Sequence, residues 1–113
     1  MELEKVIQLL EARLVSGSIA GKRIDRGFCS DLMSDVLTID TERIILITGM
    51  VNLQTIRTAE MADIQTILLV RNKKATPEMI RLAEESGITV IETPFSAFKT
   101  CGLLFTEGLK PVY

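Results

Sequence analysis

The segment RGFCSDLMSDV, Arg26 to Val36, writes Ser-Asp twice, at Ser30-Asp31 and Ser34-Asp35. An i, i+4 spacing on a helix stacks side chains on one face. Two carboxylates and two hydroxyls so placed could hold a metal, act as an acid/base pair, or form the polar side of a helix start. Magnesium and calcium want six or more oxygen ligands, so two carboxylates alone make a poor metal site. Ser30 is a good N-cap, and Asp31 in a first turn would complement the helix dipole. The expectation is therefore a structural role, with a ligand or subunit contact as the alternative.

Other chemistry-bearing segments are weaker or more diffuse. GSIAGKR, Gly17 to Arg23, resembles a phosphate-binding P-loop only faintly. Three residues separate its glycines where four are needed, and Arg23 stands where a Ser or Thr should hold magnesium. A glycine-rich turn is expected there. The segment RNKKAT, Arg71 to Thr76, sets Arg71, Lys73 and Lys74 between an apolar run and a helix start. Ligands of open α/β sheets bind beyond the C-terminal ends of the strands, and helix starts favour anions. Thr48, Gly49, Asn52, Arg71, Asn72, Lys73, Lys74, Thr76 and Thr93 are thus the candidate ligand-binding residues, with a solvated loop as the alternative. Histidine is absent, which removes the commonest general base and zinc nitrogen ligand. No residue is assigned as catalytic, as a metal ligand or as a cofactor contact. Cys29 and Cys101 lie far apart and form no CxxC, so two buried, reduced thiols are expected.

The elements that must position these residues read clearly in the second half. RIILIT (43–48), TILLVR (66–71) and ITVIE (88–92) are apolar runs of strand length. Between them, Asn52 caps a helix to about Met61, and Thr76-Pro77 opens one to Glu85 with Gly87 as its C-cap. Thr93-Pro94 opens a last helix over about 95–107. Alternating strands and helices with short links imply right-handed crossovers and a parallel sheet covered on both faces. The first half adds a helix over 2–12, short strands at 14–15 and 22–29, and a helix over 31–37. The fold class is α/β, a three-layer sandwich with a largely parallel sheet, and residues 1–113 form a single domain.

Bulk properties exclude several classes. The 113 residues are 47% hydrophobic and 25% charged, with net charge −2, four Phe, one Tyr and no Trp. A general nucleic-acid binder would be basic and would carry stacking aromatics. No apolar run can span a bilayer, and the acidic N-terminus is unlike a signal peptide, so a cytoplasmic protein is expected. The last helix carries apolar residues on more than one stripe. A second apolar face implies self-association, most simply a homodimer through Phe95, Phe98, Leu104 and Phe105.

With the elements placed, RGFCSDLMSDV resembles the pattern G-G-[YF]-x-S-D-L-[LM]-S-D-V of the DRTGG domain family, on Gly27, Ser30, Asp31, Ser34 and Asp35. ITVIETPFSAFKTCGLL resembles that family's ending, so the likeness spans nearly the whole chain. One departure is Asp25-Arg26-Gly27, where the family often has Thr-Gly-Gly. The resemblance implies a fold akin to the N-terminal domain of HPr kinase/phosphorylase, without that enzyme's separate kinase domain. It also implies the regulatory or assembly roles that DRTGG domains have beside CBS domains in some pyrophosphatases and at the start of long phosphotransacetylases. The leading expectation is a non-catalytic homodimer that senses a small anionic ligand or docks on a partner enzyme. The rivals are a small enzyme or phosphotransfer component at the strand edge, and a purely structural subunit.

Overall fold

The computed structural model describes all 113 residues. Six strands form one sheet in the order β1-β5-β4-β3-β2-β6. The central strands are β3 (Ile44–Thr48), β4 (Thr66–Leu69) and β5 (Thr89–Glu92), joined through α3 (Leu53–Met61) and α4 (Pro77–Ser86). They pair in parallel, and every residue in them is buried, as continuous apolar strands covered on both faces require. β2 (Arg26–Cys29) extends the parallel set beside β3. β1 (Arg13–Ser16) is antiparallel to β5, with Arg13 opposite Glu92 and a slip in register before Ser16.

The helices divide between the two faces. α1 (Leu3–Leu10) and α5 (Ala97–Thr106) cover one, burying Leu3, Val6, Leu10 and Leu104 against Ile45, Ile47, Leu68 and Ile91. α2 (Met33–Val36), α3 and α4 cover the other, burying Val36, Ile56, Met79 and Ala83 against Leu46, Ile67, Leu69 and Val90. The strict alternation of Ile45, Leu46 and Ile47 between these clusters is the period of two that a strand imposes. Each fully buried Leu or Ile contributes about 1.5–3 kcal/mol. The expected three-layer α/β sandwich is the observed architecture.

Cap chemistry fixes the helix ends on one side of the sheet. Asn52 and Thr76 accept from the amides of Thr55 and Met79, at 3.0 and 3.2 Å, and Gly87 ends α4 with φ 71°. Three expectations are corrected. α5 is capped by Ser96, not opened by Thr93-Pro94, because the Thr93 hydroxyl donates to the Leu10 carbonyl at 2.7 Å. The expected strand over 22–29 keeps only its last four residues, and Arg23 instead bridges to Glu2. α2 is a single turn whose N-cap is Leu32, with no side-chain cap. Leu32 itself is 59% exposed. A short β6 (Lys110–Pro111) pairs with β2. The Arg26 guanidinium holds it by donating to the Pro111 carbonyl at 2.8 Å. Gly27 leaves room for Leu109, whose Cδ2 lies 3.0 Å from where a β-carbon would be. The departure at Arg26 thus serves the last strand.

Candidate functional site

Parallel β2, β3, β4 and β5 all end at one edge of the sheet, and four loops meet there. Asp31 leaves the end of β2 before α2 begins, so it is free of the helix and reaches sideways to β3. Its Oδ1 accepts from Thr48 Oγ1 at 2.9 Å and from the Gly49 amide at 2.8 Å. Those hydrogen bonds, the Gly49 amide foremost, and the nearby Arg71 charge hold the Asp31 carboxyl below the usual carboxylate range. Thr48 Oγ1 in turn accepts from the Met50 amide. Ser30 turns on itself, accepting from the Leu32 amide at 3.0 Å. The two Ser-Asp pairs therefore do not stack on one helix face: Ser30 and Asp31 precede α2, and Ser34 and Asp35 lie exposed on it.

Arg71 follows β4 and covers Gly49. A β-carbon on Gly49 would lie 2.7 Å from Arg71 Nη2, so only glycine admits the guanidinium there without displacement. Arg71 and Asn72 are consecutive left-handed residues, with φ 61° and 58°. For Arg, which lacks the short polar side chain that eases this conformation, the cost is about 1–2 kcal/mol. The Arg71 and Asn72 amides donate to the carbonyls of Phe95 and Thr93 at 2.8 and 3.0 Å, which holds the turn. Backbone of this kind gathers at ligand clamps. Glu92, 3% exposed, anchors the same loop: it accepts from the Ala75 amide at 2.7 Å and pairs with Arg13 at 3.1 Å and Lys74 at 3.7 Å.

Of the nominated residues, the structure brings together Thr48, Gly49, Arg71 and Asn72, with Lys73 exposed beside them. Asn52 and Thr76 are committed as helix caps, and Lys74 pairs with Glu92. Thr93 is corrected: it is buried, and its hydroxyl is bonded to the Leu10 carbonyl and the Phe95 amide. Asp31 is the residue that sequence reasoning placed in a helix and missed as a bridge between strand ends. Its position directly after a strand was the available signal. The segment Gly17–Arg23 lies at the opposite edge, where Lys22 Nζ donates to Thr89 Oγ1 at 3.0 Å. No three of Cys, Asp and Glu gather into a cluster able to hold a metal ion.

The expected outer face of α5 is partly corrected. Leu104 is 1% exposed and belongs to the core, and Phe95 is half-buried beneath Lys99, whose Nζ lies 3.8 Å from its ring centre. Phe98 and Phe105 are 91% and 68% exposed and border a cavity of about 350 Å³ between α5 and β2. Cys29 and Cys101 are free thiols that line the same cavity. Cys29 is exposed and Cys101 half-buried, which corrects the expectation of two buried thiols.

No known protein family and no curated protein matches the chain. Among solved structures, it is similar to the CBS and DRTGG domains of the regulatory region of Clostridium perfringens pyrophosphatase, which was crystallised with its activator, diadenosine tetraphosphate. The TM-score is 0.73 at 18% identity, over 98% of this chain and 48% of the other, so the chain spans about half the length of that regulatory region. No helix is long and apolar enough to cross a membrane.

Proposed function

We propose that the chain is a cytoplasmic, non-catalytic regulatory module of DRTGG type. It binds a nucleotide or other phosphate-bearing ligand at the C-terminal edge of β3 and β4. The carrying observation is Arg71, held in a left-handed turn over Gly49 beside Asn72 and Lys73. A guanidinium is suited to bidentate phosphate contact, and the exposed Lys73 adds charge. The Asp31 carboxylate, braced by Thr48 and Gly49, orients the site from the opposite side. The likeness to a regulatory region crystallised with a dinucleotide activator supports the same class of ligand. No Ser or Cys sits beside a histidine base, since the chain has none. The chemistry would then belong to a partner enzyme.

A thermal-shift series with diadenosine tetraphosphate, ATP and inorganic pyrophosphate tests this. At a ligand concentration about 100 times Kd, binding stabilises the fold by about 2.7 kcal/mol, and the melting temperature rises accordingly. Arg71→Ala is expected to abolish the rise and Lys73→Ala to reduce it. No rise with any of the three compounds, or a rise untouched by both substitutions, refutes the site.

Self-association through α5 is the second part of the proposal. Phe98 and Phe105 form the exposed aromatic pair that a two-fold contact would cover. Sedimentation of the protein at micromolar concentration is expected to give a dimer, and Phe98→Ser with Phe105→Ser a monomer. A monomeric wild type overturns the homodimer and leaves the ligand site to its own test.

A further inference from the structure

The α5–β2 cavity carries chemistry that the ligand edge does not use. Cys29 pairs with Ile47 in register, and Ile47 belongs to the apolar cluster under α1 and α5. Cys29 therefore points to the α5 side of the sheet, while its neighbour Phe28 packs on the other. Cys101, on α5, packs against the same cluster and opens on the same cavity. Gly27 and Gly102 also line it, and neither adds a side chain beside the thiols.

We propose that Cys29 and Cys101 form a dithiol pair that a hydroperoxide converts to an intrachain disulfide across the groove between β2 and α5. One thiolate attacks the peroxide, the O–O bond breaks, and an alcohol (water, from hydrogen peroxide) leaves with a sulfenic acid formed. The second sulfur attacks the sulfenic sulfur, the S–O bond breaks, and hydroxide departs with the second thiol's proton as water. The two thiols lose two electrons, and the peroxide is reduced to alcohol and water. Cys101 takes the attacking role. The neighbouring Cys29 thiol holds Cys101 down to about 7, while the Cys101 thiol, aided by burial, pushes Cys29 up. The pair thus releases its first proton near neutrality and keeps its second. Cys29, the exposed member, resolves the sulfenic acid.

The test treats the full chain with one equivalent of hydrogen peroxide and reads intact mass, alkylatable thiols and a non-reducing gel. The wild type is expected to lose two hydrogens and both reactive thiols, to run as a single chain, and to recover with dithiothreitol. In Cys29→Ser the Cys101 sulfenic acid is expected to persist, and dimedone traps it. A wild type that gains oxygen atoms or links two chains, without ever losing two hydrogens within one chain, overturns the proposal. That arm needs no variant to fold.

Discussion

The two edges of the parallel sheet are built from similar materials and use them differently. Each carries a glycine at a close approach and several cations. At the N-terminal edge the cations are committed: Lys22 to Thr89, Arg23 to Glu2 at 2.6 Å and Arg43 to Asp25 at 2.7 Å. At the C-terminal edge Arg71, Asn72 and Lys73 are exposed on a left-handed turn. The glycines diverge in the same way. A β-carbon on Gly17 would strike Thr89 Oγ1 at 2.7 Å and its backbone Cα at 3.0 Å, at φ 80°. A β-carbon on Gly49 would strike only the far end of Arg71. One edge is packed for stability, and the other is arranged around a movable charge.

Substituting both glycines by alanine is the sharpest way to break that contrast. Gly17→Ala combines a left-handed residue with an overpacked backbone contact and is expected to cost about 2–4 kcal/mol in urea unfolding. Its ligand response, once folded, should match wild type. Asp31→Ala comes next. It removes the acceptor of Thr48 Oγ1 and the Gly49 amide, for a loss of about 1–2 kcal/mol and weaker ligand binding. Gly49→Ala should cost less than about 1 kcal/mol because Arg71 can swing away, yet abolish most of the ligand-induced shift. Equal stability losses for the two glycine variants would erase the distinction between the edges.

Acid sharpens the comparison further. The Asp31 carboxyl is lowered in the folded protein, so the stability it contributes is complete above the unfolded carboxylate pKa of about 3.9. That stability is lost as pH falls through the lowered folded value. The gap between wild type and Asp31→Asn in urea midpoint should therefore be constant from about pH 7 to about pH 5 and shrink as pH falls further, through the lowered folded value. A gap that closes on rising pH would contradict the assigned hydrogen bonds. Arg43→Ala, which removes an exposed ion pair at the other edge, should show the smallest effect, a few tenths of a kcal/mol.

What could be seen in the sequence was what is decided locally. β3, β4 and β5 were legible because a doubly covered strand has no polar face to interrupt it. α3 and α4 were legible because Asn52, Thr76 and Gly87 signal their own ends. The misplacements share a different cause. Thr93 and Asp31 both look like helix-start residues, and each instead hydrogen-bonds a segment distant in sequence, Leu10 in one case and Thr48-Gly49 in the other. β6 is two residues long and exists through its pairing with β2. Cys29 and Cys101 carry no spacing signal, because a strand and a helix from opposite ends of the chain bring them together. Of the site, the loop after β4 was legible from its cations at a strand end. The bracing carboxylate from β2 was not.

The antiparallel pairing of β1 with β5 has a consequence for how the molecule assembles. β1 is the earliest strand in the chain, yet its register partner Glu92 lies near the other end. β2 gains its outer neighbour only from Lys110 and Pro111. Both flanks of the sheet are thus completed by pairings of long sequence separation, which slow folding. During synthesis β1 and the outer side of β2 must wait unpaired until β5 and β6 have been made. The four-residue lengths of β1 and β2 suit that wait, since short edges resist pairing with other chains.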